Sequence, residues 1–345
     1  GQVRAAVVVN ATGPWCDELR RLEDPSARPL LRRTRGVHVM VRRERLGHTA
    51  GITLTSPIDG RVMFVLPWGD FSYIGTTDTD EPGPPEAAAP AEADVHYLLR
   101  SANACFPQAH LTEEDVVSSW AGVRALLDTG DAGSASSVSR EHIIRRGPGG
   151  MFTIAGGKLT TFRSMAAELV DEVAAELTRR EGRPRPEPAP TDTEPLPGGE
   201  AADLAPMRQT VLDLGLGAAT ADHLLQHYGT EAAAICNLGR LERGLLARLH
   251  SGHPAIEAEV VHHARRELVT HIDDVLVRRI HLHYETPDHG AQAAPRVAAL
   301  LGKELGWEGE GTARELAAWR PLSPPRAPAA PPGGGGSPPP PATPA

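Results

Sequence analysis

Apolar residues run almost without a break from Ala5 to Val9, as in a parallel strand covered on both faces. Asn10-Ala11-Thr12-Gly13-Pro14-Trp15 then reads as a turn, and a helical pattern follows from Cys16 to Leu22, with Pro14 suited to a first helical turn. From residue 36 the period changes to two. Gly36 to Val41, Ile52 to Leu54, Arg61 to Trp68 and Phe71 to Thr77 alternate at short intervals, with turn residues at Pro57-Ile58-Asp59-Gly60 and Trp68-Gly69-Asp70. This predicts an antiparallel sheet inserted into the first domain, mostly over residues 35–145. Pro90 to Phe106 reads as an amphipathic helix and Val116 to Arg124 as a strand ending at a glycine and an arginine. A further polar loop leads to Ser139-Arg140-Glu141-His142-Ile143-Ile144.

A second strand–turn–helix unit follows. Met151 to Ala155 is a short apolar run, Gly156-Gly157 a turn, and a long helical pattern extends from about Lys158 to Arg179. The predicted α/β part spans 1–185 and a Pro/Glu-rich linker 186–197. A compact helical domain covers 198–320, with helices near Met207–Leu214, Thr220–Tyr228, Glu231–Leu238, Pro254–Glu267 and Ile272–His283. His262 and His263, adjacent on one helix, cannot share a face and are read as non-metal. Asp273-Asp274 begins or caps a helix. Residues 321–345, Pro/Ala-rich with a Gly-Gly-Gly-Gly-Ser piece, lack the apolar content to fold and are expected to be disordered.

The 345 residues suffice for two or three domains. A formal net charge of −9 argues against a general nucleic-acid binder, while leaving room for local basic pockets. Cys16, Cys105 and Cys236 are scattered and form no CxxC or zinc spacing, which fits a reducing compartment and small core residues. No apolar run reaches the ~18–20 residues that span a bilayer, and no signal-peptide pattern is present. The chain opens on Gly1 and enters a strand almost at once, so a fragment of a longer protein is expected.

Three features carry candidate chemistry. Gly156-Gly157-Lys158-Leu159-Thr160-Thr161 lies where a strand meets a helix; helix N–H groups and a lysine there favour an anion, although a glycine pair alone is equally a tight βα loop. Arg124 and Arg140 bracket one loop; their forked donors suit phosphate or carboxylate, and surface ion pairs account for them as well. His38, near the start of its strand, is a base candidate or a structural histidine.

Taken together, several stretches resemble the FAD-dependent (respiratory, non-NAD) glycerol-3-phosphate dehydrogenases. They are Val8-Val9-Asn10-Ala11-Thr12-Gly13-Pro14-Trp15, Arg35-Gly36-Val37-His38, Phe64-Val65-Leu66-Pro67-Trp68 and Ile74-Gly75-Thr76-Thr77-Asp78. Ala121-Gly122-Val123-Arg124-Ala125-Leu126, Ser139-Arg140-Glu141-His142 and Gly156 to Arg163 complete the ordered set. In the helical part the resemblance continues through Tyr228-Gly229, Arg265-Arg266-Glu267 and Asp273 to Arg279. The GxGxxG unit with which the family opens is lacking, in keeping with the expected truncation.

The resemblance implies a fold of the α/β plus all-α class. An incomplete FAD-binding Rossmann-type (glutathione-reductase-like) domain, with an inserted antiparallel substrate sheet, precedes a C-terminal helical domain. It implies oxidation of sn-glycerol 3-phosphate to dihydroxyacetone phosphate, with FAD as cofactor and a quinone as acceptor. His38 becomes the base, Arg124 and Arg140 the phosphate clamp. Lys158 and the adjoining helix start stabilise charge on the reduced flavin, worth on the order of 2–4 kcal/mol by analogy with oxyanion holes. Asn10, Thr12, Gly13, Gly156, Gly157, Leu159, Thr160 and Thr161 are assigned to FAD by position. A cytoplasmic protein follows, with peripheral contact at the inner face of the plasma membrane and homodimerisation admitted. Two alternatives stand beside this: another FAD-dependent amine or hydroxyacid oxidase of the same fold, and a non-catalytic truncated remnant. Weak or absent FAD retention is expected of the fragment.

Overall fold

A computed structural model describes residues 2–128, 141–184 and 186–319. Arg140, the loop around it and the Pro/Gly-rich tail lie outside the described residues. In chain order the strands are β1 (Val9–Asn10), β2 (Leu31–Arg42), β3 (Ile52–Thr55), β4 (Val62–Trp68), β5 (Phe71–Gly75), β6 (Thr79–Asp80), β7 (Val116–Leu127), β8 (His142–Arg146) and β9 (Phe152–Gly156). The helices of the first part are α1 (Cys16–Glu23), α2 (Glu92–Cys105) and α3 (Phe162–Glu181). Among the described residues no helix or strand occurs between Glu181 and Ala205. Beyond lie α4 (Ala205–Asp213), α5 (Ala218–Tyr228), α6 (Ala232–Leu241), α7 (Glu257–Arg266), α8 (Ile272–Leu276), α9 (Leu282–Glu285), α10 (Ala294–Leu305) and α11 (Gly309–Ala318).

Two sheets form. The smaller has the order β1-β9-β8, with β1 parallel and β8 antiparallel to β9. The larger runs β3-β4-β5-β2-β6, and β7 pairs along the other side of β2. Period-2 alternation gives the larger sheet two distinct faces. Val37, Val39 and Val41 of β2, with Met63 and Val65 of β4, pack on Leu98, Leu99 and Ala102 of α2. Gly36, His38 and Met40 occupy the opposite face of β2, and the register sets Trp120 opposite His38. A small core of Cys16, Leu31 and Ala155, with Ala125 and Leu127 packed against it, joins the two sheets.

The structure corrects four expectations. Of the apolar run at residues 4–9, only Val9 and Asn10 belong to a strand, and Val8 and Val9 are 54% and 42% exposed. β1 has one neighbour, β9, and among the described residues no element covers its other edge, so the apolar pattern of a covered strand lies open here. β7 runs past Arg124 to Leu127, held by pairing with β2 as far as Leu31. The long helix starts only at Phe162, after a 3-10 turn over Leu159–Thr161, and ends at Gly182 in the left-handed conformation that glycine tolerates. The predicted helix 272–283 is broken into α8 and α9: the N–H groups of Arg278 and Ile280 turn back to Asp273 and Val275, and His281 takes a positive φ of 62°.

The helical domain closes around Val211, Leu224, Ile235, Ile256, Ile272 and Leu301. It also buries polar groups. Glu259, fully inaccessible, accepts hydrogen bonds from the Tyr228 hydroxyl at 2.7 Å and the Ile256 N–H at 2.6 Å, and meets His223 Nε2 at 2.8 Å. His263 Nε2 is 2.9 Å from the same hydroxyl.

Candidate active site

Glycines at two strand positions leave room for two large polar side chains. The guanidinium of Arg124 occupies the space in front of Gly36, and the His38 imidazole the space in front of Gly75. The register sets His38 against Gly75 across β2 and β5, and Gly36 lies two residues from His38 on β2. The structure thus brings Arg124 and His38 to one face of the sheet. Glycine inside a strand signals a close approach of this kind; the resemblance covered Gly36 and Gly75 without revealing what they clear.

Arg124 is held from three sides. One terminal nitrogen donates to the Thr77 carbonyl at 3.2 Å and lies 3.4 Å from Asp78 Oδ1; the other donates to Thr76 Oγ1 at 3.1 Å. The guanidinium therefore keeps its orientation before any ligand arrives, one carboxylate offsetting part of its charge.

His38 stacks on Trp120 (centroids 5.4 Å apart, planes 14° apart) and meets Tyr73 edge-on at 5.9 Å. Burial, with the charge of Arg124 adding to it, lowers its pKa from 6.5 to about 4. The imidazole is accordingly neutral at pH 7 and able to take a proton. Beside it lies a cavity of about 350 Å³ lined by His38, Met40, Trp68, Tyr73, Trp120, His281 and Tyr284. The last two come from the helical domain. The sequence placed none of these aromatic residues at the site, since they lie on β4, β5, β7 and the start of α9; the period-2 positions of Trp120 and Arg124 on one strand were the available signal.

The other predicted residues meet at a different edge. Because β1 and β9 are parallel, Asn10–Gly13 and Gly156–Thr161 emerge at the carboxyl ends of neighbouring strands, the place where open α/β sheets bind ligands. Gly13 has φ +56° and nothing within 4 Å of where a Cβ would stand. Lys158, Leu159, Thr160 and Thr161 are exposed there. β7 connects this edge to Arg124, since Leu127 packs beside Gly156.

Two assignments are revised in kind. Asn10 is fully buried and its amide is committed inside the turn: Nδ2 donates to the Cys16 carbonyl at 2.9 Å, and Oδ1 accepts from the Thr12 hydroxyl at 2.7 Å. It shapes the turn, with the Thr12 hydroxyl as its partner. Gly156 and Gly157, at φ +78° and +82°, are required by the chain itself: a Cβ on the first would strike the Glu141 carbonyl, and one on the second Met165. The Gly157 N–H already donates to that carbonyl at 3.0 Å. Donors for a ligand at this edge come from the residues after it.

Flavin adenine dinucleotide is in keeping with this edge: the open backbone at Gly13 and the exposed turn at 158–161 both follow the carboxyl ends of the paired strands β1 and β9. The fold and this edge define a flavin-type oxidoreductase. The family model for FAD dependent oxidoreductases matches residues 1–172, and that for the C-terminal domain of alpha-glycerophosphate oxidase matches 189–312. The chain belongs to the FAD-dependent glycerol-3-phosphate dehydrogenase family, of which it represents a part.

It is 34% identical over 322 residues to a probable mitochondrial glycerol-3-phosphate dehydrogenase of Dictyostelium discoideum, covering 91% of this chain and 49% of that protein. It is 34% identical to glycerol-3-phosphate dehydrogenase 2 of Mycobacterium bovis, covering 92% and 53% respectively. The glycerol-3-phosphate dehydrogenase of Bacillus halodurans, solved in complex with FAD, superposes with a TM-score of 0.75 at 30% identity, over 91% of this chain and 61% of that one. The chain thus spans about half the length of the curated relatives it matches.

Proposed function

We propose that this chain carries the substrate-handling part of an FAD-dependent dehydrogenase that oxidises sn-glycerol 3-phosphate to dihydroxyacetone phosphate. The observation that carries the reading is the pairing of Arg124 and His38, a fixed guanidinium beside a neutral imidazole, on a sheet face joined through β7 to the flavin edge.

Arg124 receives the phosphate, with Arg140 as a second cation. His38 takes the proton of the secondary hydroxyl at a ring nitrogen. The dianion helps it do so: by offsetting the charge of Arg124, bound phosphate removes one of the two causes that hold His38 low. Bound FAD would accept the hydride equivalent lost from the carbinol carbon. Thr12, Gly13 and the 158–161 turn would hold its flavin end, with Lys158 supplying positive charge there.

A quinone is proposed as the final acceptor. No helix among the described residues is long and apolar enough to cross a membrane. Peripheral contact at the inner face of the plasma membrane is proposed as the route to a membrane quinone.

The test is turnover of the 345-residue chain, supplied with FAD and a soluble quinone, on sn-glycerol 3-phosphate against glycine and sarcosine. Selective turnover of the phosphate ester supports the reading. Preference for the amino acids would replace it with an amine oxidase, and absence of both flavin binding and turnover would remove the enzymatic reading for this chain.

A further inference from the structure

We propose that the helical domain is a wall of the catalytic cavity and that Tyr284, acting through Trp120, sets the ring plane of His38. Trp120 and Tyr284 are then positioning residues, and the inference rests on the reading of His38 as the base.

The contacts form a short chain across the domain boundary. Trp120 has three aromatic neighbours among the described residues: His38, nearly parallel at 5.4 Å, Tyr284, inclined at 60° with centroids 5.0 Å apart, and Tyr73, tilted at 57° and 6.2 Å away. Tyr284 is itself anchored to the sheet, because Ser118 Oγ donates to its main-chain carbonyl at 2.7 Å. One residue on, Glu285 accepts from Trp68 Nε1 at 2.8 Å and meets His253 Nε2 at 3.0 Å. Trp68 also packs edge-on against His281 at 5.5 Å. The four-residue α9 and the residue before it are therefore gripped by β4 and β7 at Trp68, Ser118 and Trp120. An indole seated between a histidine and a clamped tyrosine has little freedom to tilt, and the imidazole stacked on it shares that constraint.

The same wall governs what surrounds the base. The groups facing His38 are Arg124 from β7, Tyr73 from β5, and His281 and Tyr284 across the cavity. No carboxylate lines this cavity among the described residues, and Glu285 is directed to Trp68 and His253. Removing the Tyr284 ring would admit water next to His38, weakening the desolvation that keeps the imidazole neutral.

The experiment is a side-chain ¹H–¹⁵N titration of His38 in the full chain, assigned with His38→Gln. Wild type and Tyr284→Phe, which keeps the ring, are expected to share a titration near pH 4. Tyr284→Ala is expected to raise it by at least about one pH unit toward the ordinary histidine value, with a changed tryptophan emission. Ser118→Ala, which only releases the Tyr284 carbonyl, should give a smaller rise; it serves as the second variant if Tyr284→Ala does not fold. A folded Tyr284→Ala that titrates like wild type overturns the proposal. If Tyr284→Ala fails to fold, an unmoved Ser118→Ala titration overturns it. A moved titration without turnover of sn-glycerol 3-phosphate in the wild type would leave the positioning intact and remove only the assigned reaction. Turnover with an unmoved titration would do the reverse.

Discussion

The imidazole of His38 lies in front of the α-carbon of Gly75, its register partner across β2 and β5, where a Cβ would overlap three ring atoms. Gly75→Ala is therefore expected to push the ring out of place, costing about 1–3 kcal/mol of stability and about a hundredfold in kcat/KM. Gly36→Ala should do the same through Arg124. Gly122 faces Gly36 across the strand pair and has nothing within 4 Å of a Cβ, so Gly122→Ala is the control and should stay within about 0.5 kcal/mol of wild type. Urea unfolding and steady-state kinetics with sn-glycerol 3-phosphate decide it.

Arg124→Lys keeps the charge and loses the fork. A single ammonium cannot reproduce the contacts to Thr76, Thr77 and Asp78 and also grip a phosphate bidentately. KM for sn-glycerol 3-phosphate should rise by about 10–100-fold with a smaller change in kcat. An unchanged KM would place the phosphate elsewhere.

Stability should fall on the acid side earlier than carboxylate chemistry alone requires. Burial, with Arg124 beside the first and His289 beside the second, holds His38 and His283 at about 4 against an ordinary 6.5. Each contributes fully above pH 6.5, and that contribution is lost as pH falls from 6.5 through 4, up to about 3 kcal/mol apiece. Burial also lowers His227, His262 and His281, in the same sense. Thermal midpoints between pH 7 and 4 test this; a flat profile would show these side chains to be hydrated.

Glu259 works in the opposite direction to its own burial. Burial alone would raise its carboxyl, but the charge and hydrogen bond of His223, with the Ile256 N–H and Tyr228 hydroxyl, hold it at about 2. Its contribution is complete above pH 4.5 and is lost as pH falls from there to 2. His223, raised by Glu259 in spite of burial, contributes below pH 6.5 and loses that contribution as pH rises through its raised value. Glu259→Ala strands His223 and should destabilise the helical domain by about 3–5 kcal/mol, measured by denaturant unfolding.

Periodicity made most of the architecture legible. The alternation of residues 36–41 is what separates the α2 face from the His38 face, and the helix that spacing places at Thr220–Tyr228 is observed at Ala218–Tyr228. It misjudged positions decided by distant partners: nothing in Val8 and Val9 announces an uncovered edge, and nothing in residues 272–283 announces that Ile280 bonds back to Val275. Family resemblance assigned Arg124 and His38 to one site by position, and the structure sets both on one face of the larger sheet. The aromatic wall of that site was not legible, because Trp120 and Tyr284 are 164 positions apart and only tertiary packing brings their rings together. The glycine pair at 156–157 suits an anion site or a tight βα loop equally in the sequence; in the structure the space before it is filled by Glu141 and Met165 of the same chain.

The grip of Trp68, Ser118 and Trp120 on residues 281–285 also bears on how such proteins can be recombined. A chimera joined anywhere in the stretch 182–204 would keep each hydrophobic core whole while importing foreign residues at 281 and 284 of the cavity wall. Exchange of the helical segment between relatives would therefore carry catalytic character with it, and compatibility at Trp120 and Tyr284, more than at the splice point, would decide which hybrids work.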